Sequence, residues 1–71
     1  MMSTTDPIVR SIRAEMVRKG INGEEIAART FISTSTFYKR LERPETFKLD
    51  ELRLIAKFLK IDIGDLVRGK A

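Results

Sequence analysis

Apolar residues along this chain recur at intervals of three and four, with no sustained alternation, and they fall into blocks separated by helix-stop signals. Ile8, Ile12 and Met16 are spaced by four, with Val9 and Val17 beside them. Asp6-Pro7 in front reads as an N-cap followed by proline at the first helical position, where its missing N–H is not needed. Arg18, Lys19 and Gly20 supply basic last-turn residues and a C-terminal glycine. The first helix is therefore expected over 7–19. Asn22 offers the next cap, Glu24 and Glu25 place negative charge on the following first turn, and Ile26, Ala27 and Thr30 form a short inward face. This predicts a helix over 23–30. Ser33 can cap a third, in which Phe37 and Leu41 point one way until Arg43-Pro44 ends it, because a residue before proline avoids the α region. That helix spans 34–42. "PETF" reads as a loop, after which Leu49, Leu52, Ile55, Ala56 and Leu59 trace the clearest amphipathic stripe, over 49–60. Asp62 with Asp65 resembles a cap for a last short helix carrying Ile63, Leu66 and Val67. The pattern predicts an all-α fold of five short helices, with flexible segments at 1–6 and 68–71 around a domain at 7–67.

Composition narrows the chemistry. Seventy-one residues suffice for one small domain. With no cysteine and no histidine, there is no disulfide, no thiolate metal site and no imidazole base, and so small a domain offers little concavity. No catalytic residue, cofactor, metal or small-molecule ligand is expected. The opening "MMSTTDP" has neither a basic nor an apolar signal region, and charges interrupt every apolar segment. A cytoplasmic protein without membrane association is expected.

Fourteen Lys and Arg against ten Asp and Glu give +4, which favours a polyanionic partner. The distribution is informative too. Residues 31–48 carry four basic and two acidic side chains, whereas 1–30 and 49–71 carry five and four each. The excess is greatest around "ISTSTFYKRLERP".

The second and third helices are separated by only a few residues and so must cross steeply, with Ala27 as the small residue at the crossing. This is a helix-turn-helix over about 23–42, whose second member can enter the major groove of B-DNA. In "IRAEMVRKG", "NGEEIA", "ISTSTFYKRL" and "LDELRLIAKFLKI" with "DIGDLV", taken in order, the chain resembles the lambda-repressor-like domains, also called the Cro/CI or XRE family of phage and bacterial regulators. The resemblance runs from about Ile8 to Val67. Each fragment alone is unspecific; the order and spacing of five carry the likeness.

Two positions depart from the family pattern. Gly23 stands where the family often has a glutamine that holds a DNA phosphate, leaving Asn22 and the helix amides, Gly23 included, to face phosphate. Phe31 stands where the family's turn usually has glycine. A bulky residue at positive φ costs roughly 1–2 kcal/mol, so a rebuilt turn is expected, with Phe31 or Ile32 plugging the core. Met16 and the other phenylalanines are also expected in the core.

At about 100° per residue, Lys39, Ser35, Glu42 and Arg43 fall on the face of the third helix opposite Phe37 and Leu41, with Tyr38 and Arg40 at its flanks. The resemblance maps base-reading positions onto Thr34, Ser35 and Lys39, with Tyr38 as a fourth. The residue types agree: lysine donates to guanine O6 and N7, and a threonine methyl can meet a thymine methyl. Arg40, Arg43 and Lys48 are assigned to phosphate contacts, which fix register. Glu42 is expected to pair with Tyr38 or Lys39, or to accept from a cytosine amino group. Simpler readings stand beside these. Ser33 is first a cap, Thr36 packs against the second helix, Glu24 and Glu25 serve helix-start electrostatics, and Arg53, Lys57, Lys60 and Arg68 are solvated charge.

The resulting expectation is a small sequence-specific regulator that binds double-stranded DNA as a homodimer, formed in solution or only on DNA, with Ile63 and Val67 at the twofold contact. The competing expectation is a protein-interaction module, such as an antitoxin-like or adaptor bundle, favoured by Gly23 and Glu42.

Overall fold

The computed structural model describes residues 6–70; the rest of the expected flexible N-terminus, and Ala71, lie outside the described residues. Among the described residues five helices follow in order: α1 Pro7–Lys19, α2 Gly23–Arg29, α3 Thr34–Glu42, α4 Leu49–Leu59 and α5 Ile63–Arg68, with a 3-10 turn at Pro44–Thr46. Their beginnings are set by local capping. Asp6 accepts from the amides of Ile8 and Val9 at 2.9 and 3.2 Å. Asn22 and Glu25 form a reciprocal capping box, Ser33 accepts from the Thr36 amide at 3.1 Å, and Asp62 accepts from Gly64 and Asp65. Gly20 and Gly69 close α1 and α5 in the left-handed conformation. The last helix runs through Arg68, and the Lys70 amide donates to the Asp65 carbonyl at 2.8 Å, so residues 68–70 finish α5 instead of forming the expected loose tail.

The core consists of Val9, Ile12, Ile26, Ala27, Phe37, Leu41, Leu52, Ile55, Leu59 and Leu66, drawn from all five helices. α5 packs on α1 and α4, which brings the first and last helices together, while α2 lies against α3 and α4. That closure changes which face of α1 is inside. Val9, Ser11, Ile12 and Glu15 are buried, Ile8 and Met16 only partly so, and Val17 is 84% exposed. The expected Ile8–Ile12–Met16 stripe is thus rotated toward α5, where the Ser11 hydroxyl meets the Asp65 carbonyl at 3.5 Å.

Glu15 is completely buried and was not anticipated as a core residue. Its carboxylate lies 3.0 Å from Arg18 Nη1 and 3.1 Å from Lys19 Nζ, and Lys19 also donates to the Leu59 carbonyl. A buried carboxylate with cationic partners ties the end of α1 to the end of α4; without them its burial would cost several kcal/mol. On α4 the inward face holds Glu51, Leu52, Ile55, Ala56 and Leu59, while Leu49 is exposed, contrary to the predicted stripe.

Candidate nucleic-acid interface

α2 and α3 are joined by Thr30, Phe31, Ile32 and Ser33. The buried Thr30 hydroxyl donates back to the Ile26 carbonyl at 2.8 Å. The Ile32 amide donates to the Ala27 carbonyl at 3.2 Å, a Schellman-type closure, and the Ile32 side chain packs against the core. Between them Phe31 adopts φ 63° and is 84% exposed. The expected rebuilding of this turn is therefore corrected: the closure keeps the left-handed position and places phenylalanine in it. Ile32 alone plugs the core, because a side chain at the left-handed position of this closure is directed away from the helix it ends. The core placement of the other phenylalanines holds for Phe37, and Phe47 and Phe58 are partly buried against it.

Ser33 caps α3, and its hydroxyl donates to Thr36 Oγ1 at 2.8 Å while lying 3.4 Å from Ser35 Oγ. These hydroxyls form a small network at the start of the helix. Ser35, Lys39, Glu42 and Arg43 are exposed, Thr34 is half-buried, and Phe37 and Leu41 are fully inside. The face opposite the core is left uncovered by the other described residues. Lys39 enters no ion pair among the described residues, and neither does Glu42, so the expected Glu42–Lys39 pair does not form.

Tyr38 is 41% exposed and lies edge-on to Phe37, with ring centroids 5.5 Å apart. Its other contact explains Gly23. A β-carbon on Gly23 would stand 2.5 Å from Tyr38 Cζ and 2.9 Å from Cε2, and closer still to the hydroxyl. The phenol therefore covers the first residue of α2 and leaves no room there for a side chain. Gly23 is buried beneath it. At its neighbour, Asn22, the side-chain oxygen accepts from the Glu25 amide at 2.9 Å, and its own amide donates to Glu25 at 3.1 Å. Among the groups expected to face phosphate at the start of α2, the Asn22 backbone amide and side-chain oxygen are thus engaged within the protein, and Gly23 lies under the phenol. No signal in the sequence alone links Gly23 to Tyr38, because the contact crosses from one helix to the next.

Arg40 is also redirected. Its Nε lies 2.8 Å from Glu51 Oε1, its Nη1 donates to the Thr46 carbonyl at 3.2 Å, and its side chain is only 20% exposed. Glu51 also accepts from the Lys48 amide at 3.0 Å. Arg40, expected at a phosphate, therefore fastens α3 to the 3-10 turn and to α4. Arg43 pairs with Glu45 at 3.4 Å, both well exposed, and Lys48 is exposed at the start of α4. A surface pair of that kind contributes little and exchanges readily for a phosphate.

Away from this face, Leu66 is buried, Ile63 is half-buried and Val67 is exposed, so the predicted small apolar edge exists on α5. With Leu49, Ala56 and Ile61 it lines an open groove between α4 and α5, bordered by Arg53, Lys57 and Arg68. No helix among the described residues is long and apolar enough to cross a membrane.

Comparison with known proteins agrees with this geometry. The Cro/C1-type HTH DNA-binding domain family matches residues 11–70. An SPbeta prophage-derived uncharacterized HTH-type transcriptional regulator, YopO of Bacillus subtilis (strain 168), is 34% identical over 59 residues, covering 83% of this chain and 84% of that protein. No solved structure matches the chain significantly.

Proposed function

The chain belongs to the Cro/C1-type helix-turn-helix family of DNA-binding domains, and from that premise we propose that it regulates transcription by laying α3 in the major groove of a specific duplex site. The observation that carries this reading is the bare face of α3, where Ser35 and Lys39 are exposed directly opposite the buried Phe37 and Leu41. Thr34, Ser35 and Lys39 read base edges, with Tyr38 at the flank. Arg43 and Lys48 meet phosphates, joined by whatever donors of Asn22 and Gly23 remain free beside the Tyr38 hydroxyl. Arg40 acts from behind, holding α3 at its angle. The function is one of binding and not of catalysis, carried by the unit 7–67 in the cytoplasm. None of the findings favours an adaptor bundle.

One such unit offers a small interface, so useful affinity comes from two copies on a palindromic site with half-sites about one helical turn apart. Ile63 and Val67 supply the twofold contact, made in solution or only on DNA. Selection of bound sequences from a random duplex pool tests the proposal. A recurring motif in two half-sites, with affinity falling steeply as salt rises, is the expected result. Binding without sequence preference refutes it.

A further inference from the structure

Phe31 combines two unfavourable features. A phenylalanine in the left-handed conformation is strained, and at 84% exposure its ring returns almost no burial in the monomer. A single exposed apolar residue needs no explanation, but one held in a strained backbone conformation does. The turn itself does not require the ring: the Ile32–Ala27 hydrogen bond closes it and Ile32 supplies the hydrophobic contact, so glycine or asparagine would serve the fold better. The backbone that carries the ring is nevertheless fixed on both sides. It sits between the Thr30 hydroxyl bonded back to α2 and the Ser33 cap that starts α3. At 3.8 Å per residue it is within about 11 Å of chain from Thr34, in the part of the helix that approaches base edges most closely.

We propose that Phe31 is a specificity-determining residue whose ring packs against the C5-methyl group of a thymine at the edge of each half-site. Phenylalanine is one of the side chains suited to that contact, and the methyl is the apolar feature of the major groove that distinguishes T·A from the other pairs. The inference rests on the DNA-reading function of α3 and adds a reader outside the helix. Its strain is tolerated because the hydroxyls at the start of α3 cannot provide an apolar platform of that size.

The test uses the full chain and the duplex selected with it. Each thymine of a half-site is replaced in turn by deoxyuridine, which removes the methyl alone. One position is expected to weaken wild-type binding about fourfold, the worth of one buried methyl. Phe31→Gly and Phe31→Asn should melt at higher temperature than wild type, bind the thymine duplex about fivefold or more weakly, and lose sensitivity to uracil at that position. Opposite signs in stability and affinity separate a DNA contact from a structural role. Unchanged affinity in both variants overturns the inference, as does weakened binding with uracil sensitivity retained. If the wild type selects no duplex at all, the DNA-reading function fails and this inference with it.

Discussion

Replacing Gly23 with alanine adds one methyl group where the structure leaves none. The new β-carbon would stand 2.5 Å from Tyr38 Cζ and 2.9 Å from Cε2, against an ordinary carbon–carbon contact of about 3.5–4.0 Å, so the ring must retreat by about 1 Å. Two routes relieve the clash. Shifting α3 as a body disturbs Phe37 and Leu41 in the core, at about 1–3 kcal/mol. Swinging the half-exposed phenol into solvent forfeits its edge contact with Phe37, about 0.5–1.5 kcal/mol, and is the cheaper route. Alanine's helix propensity offsets at most a fraction of its roughly 1 kcal/mol advantage, because Gly23 opens α2 and its amide makes no intrahelical bond. We expect a net loss of about 1 kcal/mol, or about 4–8 °C in Tm for a domain of this size, by circular dichroism during heating. In a Tyr38→Ala background the same substitution should be neutral or mildly stabilising, giving a coupling of about 1 kcal/mol. A Gly23→Ala protein as stable as wild type, or strict additivity in the double variant, would show that the phenol does not occupy the start of α2.

Arg40→Ala should lower stability by about 2 kcal/mol in urea titrations, since it strands the largely buried Glu51 carboxylate; the figure is reduced from the fully buried case because Arg40 keeps some exposure. A loss under 0.5 kcal/mol would return Arg40 to the pool of surface charges. Lys39→Ala should cost roughly 1–3 kcal/mol of discrimination at one base pair in competition binding, while Arg43→Ala should weaken specific and random duplexes alike; equal losses from both would remove Lys39 from base reading. Val67→Glu should abolish cooperative occupancy of paired half-sites in a gel-shift titration yet leave single half-site affinity within about twofold, because the residue is exposed and lies on the helix assigned to the dimer contact.

The sequence by itself determined the elements and their order. Asp6, Asn22, Ser33 and Asp62 each cap a helix, and α1 and α3 begin and end at the predicted residues, while α2 and α4 stop one residue earlier. Such features are legible because a cap and its partner lie within two or three residues of each other, so the chain closes them whatever the rest of the fold does. The outward placement of Ser35 and Lys39 was legible for a related reason: once Phe37 and Leu41 face the core, the 3.6-residue period fixes the opposite face. Tertiary structure alone decided the contacts between helices. It set the phenol of Tyr38 over Gly23, drew Arg40 of α3 onto Glu51 of α4, buried Glu15 of α1 and joined its partner Lys19 to the end of α4, and exposed Val17 and Leu49 at positions that periodicity counted as inward. Those outcomes depend on the angle and depth at which helices distant in sequence meet, and a charge or an aromatic ring is assigned to the surface or the interior only when that meeting brings it a partner. Phe31 is a separate case: the local hydrogen bonds of the turn fixed its left-handed backbone against its own preference, and only the packing of Ile32 into the core left its ring outside.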